Sequence, residues 1–116
     1  MVISAHALAT EAGLEVLRDG GNAVDAAIAV HWALAVVAPW AGNIGGGGFL
    51  LFRSSDKAVH SLDFRETAPK ASTPDMFATG PDHLEGRARQ VGHLACGVPG
   101  SVAGMYALRD SLGSLP

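Results

Sequence analysis

Across residues 23–38 the chain offers only two polar side chains, Asp25 and His31. A helix over this stretch is apolar on every side and must be covered on every side, which places it inside a core or beneath another layer. The stretch falls short of the roughly 20 apolar residues that a bilayer crossing needs, and Asp25 interrupts it. Asn22 suits an N-cap, and Asp25, three residues further on, sits where a negative charge favours a helix start. Pro39 ends the helix near Val37. Its many alanines let neighbouring backbones approach closely. His31 reads as a hydrogen-bonded core or boundary histidine rather than a metal ligand, because no second ligand type stands at i+3 or i+4.

The remaining segments arrange themselves around that helix. A weak opening strand is expected over residues 1–4. Leu8, Ala12, Leu14, Val16 and Leu17 recur at helical spacing over residues 7–19, opposite Glu11, Glu15, Arg18 and Asp19. Gly20-Gly21 ends this helix, and Arg18 complements the negative end of its dipole. After the glycine run Gly42-Asn43-Ile44-Gly45-Gly46-Gly47-Gly48, the apolar residues 49–53 suit a buried strand. A turn over 54–57 and a second strand over 58–64 complete a hairpin. Pro69, Pro74 and Pro81 mark irregular chain, with a short helical turn capped by Thr73 and an exposed loop over 80–92. A final amphipathic helix runs over 101–112 and stops at Gly113. Helices, a hairpin and a helix in that order predict an α+β fold, with helices packed on a largely antiparallel sheet. Nothing in the sequence marks a boundary within residues 1–116, so a single unit is expected.

Composition narrows the chemistry. Eleven acidic residues against eight lysines and arginines give a net charge of -3, which leaves no basic footprint for nucleic acid or an anionic membrane. Hydrophobic residues make up 48% and charged residues 16%, so disorder is not expected and much of the surface is suited to being covered. Cys96 stands alone, which excludes an internal disulfide and a cysteine-based zinc site, and it reads as a small buried residue beside a turn. His6, His31, His60, His83 and His93 show no metal-ligand spacing. The hydroxyls of Thr10, Thr67, Thr73 and Thr79 have no recognisable base, so no nucleophile can be named. The glycine run lacks the lysine of a phosphate loop and the strand-to-helix context of a dinucleotide fingerprint. It offers close backbone approach or an anion nest, with the tight turn favoured. Arg65 closes the second strand in Asp63-Phe64-Arg65-Glu66-Thr67-Ala68-Pro69. Its guanidinium could present a rigid fork to a carboxylate, or it could pair with Asp63 or Glu66 or simply be solvated. The residues alone favour the structural or solvated role.

Five segments, in order, resemble one family. Ser4-Ala5-His6-Ala7-Leu8-Ala9-Thr10-Glu11-Ala12-Gly13 resembles the opening of the γ-glutamyltransferase (γ-glutamyl transpeptidase) large subunit. Gly20-Gly21-Asn22-Ala23-Val24-Asp25-Ala26-Ala27 is similar to its next signature. Ile44-Gly45-Gly46-Gly47-Gly48-Phe49, Arg65-Glu66-Thr67-Ala68-Pro69 and Gly97-Val98-Pro99-Gly100-Ser101-Val102-Ala103-Gly104 follow in register. Each is weak alone; together they are specific. Trp40-Ala41-Gly42-Asn43 departs from the His-Ser-Ser-Gly-like residues of many relatives, and Ala7 follows His6 where proline is common.

The resemblance implies an α-β-β-α layered sandwich of the N-terminal-nucleophile hydrolase type, with residues 1–116 forming the N-terminal part of the large subunit. It implies a precursor that cleaves itself, freeing an N-terminal threonine that attacks the γ-glutamyl amide of glutathione or a similar substrate. The acyl-enzyme then hands the γ-glutamyl group to water, an amino acid or a peptide. The family's arginine in Arg-Glu-Thr-Ala-Pro binds the substrate α-carboxylate, which carries substrate binding to Arg65 and reverses the bland reading of that residue. The catalytic threonine is not among residues 1–116, so no catalytic residue, cofactor or metal is expected in this chain. Implied partners are the γ-glutamyl substrate, the remainder of the large subunit, and the small subunit of the same precursor, with no nucleic acid. The chain reads as truncated and, taken alone, is expected to fold poorly and to show no turnover. A same-fold acylase for another acyl group and a non-catalytic fragment are the rival readings. No export signal is visible at the start, although relatives are often periplasmic, secreted or membrane-anchored, and the compartment stays open.

Overall fold

The computed structural model describes residues 1–78 and 87–116. They form two compact units, one of residues 1–65 with 99–116 and one of residues 66–98. The first contains helices α1 (Ala7–Arg18), α2 (Ala23–Val37) and α3 (Ser101–Leu112), and strands β1 (Phe49–Arg53) and β2 (Val59–Asp63). Among its described residues, the second holds turns, a 3-10 turn at His93–Ala95, and a backbone bridge between Thr67 and Val98.

Local chemistry sets the helix ends. His6 caps α1, its Nδ1 accepting the Leu8 amide at 3.2 Å. The other end is a Schellman motif. Gly20, at φ 93°, donates its N–H to Leu17, and Gly21 donates to Val16. Asn22 then opens α2 with a full capping box: its Oδ1 accepts the amides of Val24 and Asp25, and its own N–H donates to Asp25 Oδ2 at 2.8 Å.

The expected strand over residues 1–4 is absent, as these residues are irregular. Among the described residues, strand pairing joins only β1 and β2, antiparallel with Phe49 opposite Asp63 and Leu51 opposite Ser61. The second strand is shorter than expected at both ends. Residues 74–78 form hydrogen-bonded turns, with the Met76 amide donating to the Thr73 carbonyl and that of Ala78 to the Asp75 carbonyl. The predicted loop over 80–92 falls largely on residues 79–86, outside the described residues.

Burial follows small side chains more closely than large ones. The deepest residues of α1 are Ala9 and Gly13, whereas Leu8, expected on the apolar face, is exposed. A Cβ on Gly13 would meet Val30 Cγ2 at 2.6 Å and the Ala26 carbonyl at 3.3 Å, so α1 and α2 approach backbone to backbone. Val24 of α2 and Met105 and Leu108 of α3 form the centre of the core, against which Leu50, Phe52, Leu62 and Phe64 pack. The helices therefore cover one face of the hairpin. The other face leaves Phe49, Leu51 and Val59 exposed, and α2 leaves Val36 78% exposed, so its all-round apolar surface is only partly covered here.

The start of α2 is stitched to the end of α3. Asn22 Nδ2 donates to the Leu112 carbonyl at 2.7 Å, and the Ser114 hydroxyl donates to Asp25 Oδ2 at 2.6 Å. The Ser114 amide donates to the same carboxylate at 3.0 Å. Asp25 is buried, and burial pushes its carboxyl up. Hydrogen bonds from the Ser114 side chain and from the backbone of Asn22, Ser114 and Leu115 outweigh that and hold it below the ordinary range. His31 lies at the edge of the core with its ring edge-on to Trp32 and Phe64. The expectation of a hydrogen-bonded histidine fails, since its buried Nε2 has no partner among the described residues. Burial lowers its pKa accordingly.

These groups set two expectations. Asp25→Ala removes the acceptor for several amides and a hydroxyl at once, and should cost about 2 kcal/mol in thermal or denaturant unfolding. Both shifted groups bind protons more readily when unfolded, so each lends stability that is lost on acidification. The His31 contribution should fade as pH falls below about 6.5, and that of Asp25 below about 4. His31→Gln should flatten the first part of a stability–pH profile and Asp25→Asn the second.

Candidate functional site

Arg65 lies on exposed chain just past β2, and it is the last residue of the first unit before the backbone passes to the second. Its amide donates to Asp63 Oδ1 at 2.9 Å, a local turn that bends the backbone off the strand. Asp63 thus meets the Arg65 main chain.

The residue before it is held far more tightly. The Phe64 amide donates to the Gly48 carbonyl at 3.0 Å, extending the hairpin by one bond into the glycine run. Three glycines from two separate segments press against Phe64. A Cβ on Gly104 would stand 2.4 Å from Phe64 Cγ, and one on Gly48 would stand 3.0 Å from Cε2. On Gly100 it would fall 1.9 Å from the Phe64 carbonyl oxygen, a separation no side chain tolerates. None of these three has a positive φ, so space rather than backbone freedom requires glycine there. His31 closes the ring's surroundings, its centroid 6.5 Å away.

The glycine run is itself anchored. The Gly46 carbonyl accepts the amides of Gly100 and Ser101, both at 3.0 Å. The Ser101 hydroxyl donates to the Asn43 carbonyl at 3.3 Å. The first turn of α3 has no side-chain cap, and the Gly46 carbonyl takes that place. Of the alternatives open to the run, the tight turn is the one with contacts behind it. The exposed Asn43 side chain bonds locally, its Oδ1 accepting the Gly45 amide and its Nδ2 donating to the Pro39 carbonyl.

The other candidates do not converge. The Thr10 hydroxyl pairs with that of Ser4 at 2.8 Å, and Thr67 is engaged through its backbone with Val98. Thr79 and His83 lie outside the described residues. His60 stacks on Phe52, and His93 sits in the 3-10 turn. Among the described residues, no group of three His, Cys, Asp or Glu side chains is gathered to hold a metal ion. Cys96 is exposed, contrary to the buried position expected. Its segment is turn and irregular chain, so small size alone did not bring it inside.

The packing around Phe64 has only a weak signal in the sequence. Gly100 and Gly104 stand at i and i+4, the spacing that aligns two positions on one helix face. That bare stripe at a helix start was the signal available. Its partner, far away in sequence, was not.

Comparison with known proteins places the chain. The family model for gamma-glutamyltranspeptidase matches residues 9–116. The glutathione hydrolase proenzyme of Escherichia coli strain K12 is 48% identical over 116 residues, covering 100% of this chain and 20% of that protein. The chain thus spans about a fifth of the length of that relative. The crystal structure of Helicobacter pylori gamma-glutamyltranspeptidase superposes with a TM-score of 0.90 at 46% identity, over 99% of this chain and 33% of the other. A cephalosporin acylase from Bacillus halodurans follows at a TM-score of 0.79 and 33% identity, over 94% of this chain and 20% of that one. The α+β fold is therefore the one shared by these transpeptidases and related N-terminal-nucleophile acylases, and the chain belongs to the gamma-glutamyltranspeptidase family.

Proposed function

We propose that residues 1–116 are the N-terminal part of the large subunit of a γ-glutamyl hydrolase and transferase, and that Arg65 binds the α-carboxylate of its substrate. The observation that carries this reading is the placement of Arg65: an exposed guanidinium side chain directly after a residue clamped by three glycines, within the Arg65-Glu66-Thr67-Ala68-Pro69 segment of a family match. A planar fork of N–H donors on a fixed stem suits a carboxylate, which accepts two parallel hydrogen bonds. Held in this way, a γ-glutamyl amide such as glutathione would present its γ-carbonyl at a set distance from the clamp. The nucleophile is supplied by a threonine outside residues 1–116, activated by its own free α-amine. Its hydroxyl adds to the γ-carbonyl and the amine leaves. Water or a second amine then releases the γ-glutamyl group. The rest of the large subunit and the small subunit complete the site.

The likeness to a cephalosporin acylase supports a second reading, in which the same scaffold serves another acyl group. The higher identity to the glutathione hydrolase proenzyme favours the γ-glutamyl reading.

Arg65→Lys in the processed enzyme separates the functional role from a structural one. The charge survives but the fork does not. KM for γ-glutamyl-p-nitroanilide should rise about 10- to 100-fold, with kcat changed much less, as expected for loss of charged hydrogen bonds made to the bound substrate. An unchanged KM would return Arg65 to a structural role.

A further inference from the structure

We infer that Phe64 is the positioning residue for Arg65: its ring and carbonyl, wedged among Gly48, Gly100 and Gly104, fix where the guanidinium stem leaves the fold. This rests on the reading of Arg65 as the carboxylate clamp. The Asp63 carboxylate shapes the turn through the Arg65 amide, but Asp63 is itself exposed and cannot resist displacement. Phe64 can. Its amide is bonded to Gly48, its carbonyl lies against the Cα of Gly100, and its ring lies against Gly104, so shifts along the strand, across it and toward the helix all meet backbone.

The two segments that hold Phe64 are also tied to each other. The Gly46 carbonyl binds the first amides of α3, so the glycine run and the helix start move together. A side chain on Gly100 would strike the Phe64 carbonyl and one on Gly104 its Cβ and ring, so either would push the Phe64 backbone outward and carry Arg65 with it, whereas one on Gly48 meets only the ring edge. The glycine-rich segments therefore act on substrate at one remove, by setting the position of a residue they do not include. Small displacements of this kind matter because misplacement of a binding group by about 1 Å can cost about 100-fold in rate.

The test uses Phe64→Leu in the processed enzyme with two substrates, γ-glutamyl-p-nitroanilide and 4-aminobutyryl-p-nitroanilide, the second lacking only the α-carboxylate. Leucine leaves space at the glycines and frees the backbone to shift. KM for the first substrate should rise about tenfold while kcat stays within about twofold, and kcat/KM for the second should stay within about twofold. Equal losses on both substrates would mean a general structural defect and would overturn the inference, as would no loss on either. Arg65→Lys, assayed in parallel, isolates the underlying reading: if it leaves KM unchanged, the clamp itself is wrong. If Arg65→Lys raises KM and Phe64→Leu does not, only the positioning role fails. Gly48→Ala is the milder companion, because the ring edge need yield only a few tenths of an ångström. It should give a smaller rise in KM with the same substrate selectivity. If neither variant matures to active enzyme, Phe64 is a folding element and the inference is overturned.

Discussion

The placement of Arg65 and the seating of the hairpin on α3 depend on the contact between Phe64 and three glycines. It joins the hairpin to α3 at a separation that only bare Cα atoms permit, with the Phe64 carbonyl filling the place a Gly100 side chain would take. The core beside it is modest, with Val24, Met105 and Leu108 as its deepest large side chains. Close packing here makes up in contact what the core lacks in bulk. The same economy recurs where Gly13 meets Ala26 and Val30, so two of the main joints in this unit are made through glycine.

A second joint works through polar chemistry instead. Asn22 and Asp25 cap their own helix, and the same two side chains reach the end of α3 through Leu112 and Ser114. One capping box thereby fixes the register between two helices. The outcome is that α3 is held at both ends. The glycine run receives its N-terminus and the start of α2 receives its C-terminus, and Phe64 is pressed against a helix that cannot slide.

How much of this could be read in advance follows from how local each signal is. Asn22, Asp25 and Pro39 announced the limits of α2 because capping and proline termination act within a turn of the residue responsible. Gly20-Gly21 announced the Schellman end of α1 for the same reason. The hairpin was legible from its apolar runs, although β2 is shorter than the alternation suggested. What could not be read was pairing at a distance. The sequence showed glycines at 48, 100 and 104 and a phenylalanine at 64, but nothing in it joins them. Leu8 and Cys96 mislead for a related reason: an apolar or small side chain goes inside only where another element comes to cover it. His31 sits at the core's edge as expected, yet packs by its ring and leaves Nε2 without a partner among the described residues. For Arg65, the residues alone favoured a bland role, and the family resemblance supplied the functional one. Its exposed site beside a clamped neighbour supports that choice on physical grounds.

If Arg65 is the clamp, its guanidinium, on a fixed stem, receives the substrate carboxylate. A crystal structure of the processed enzyme with bound glutamate tests it most directly. Two N–H···O contacts should run from Arg65 to the α-carboxylate at about 2.7–2.9 Å, with Phe64 still seated against Gly48, Gly100 and Gly104. A ligand carboxylate held by other residues, with the Arg65 side chain turned away from it, would rule out Arg65 as the clamp.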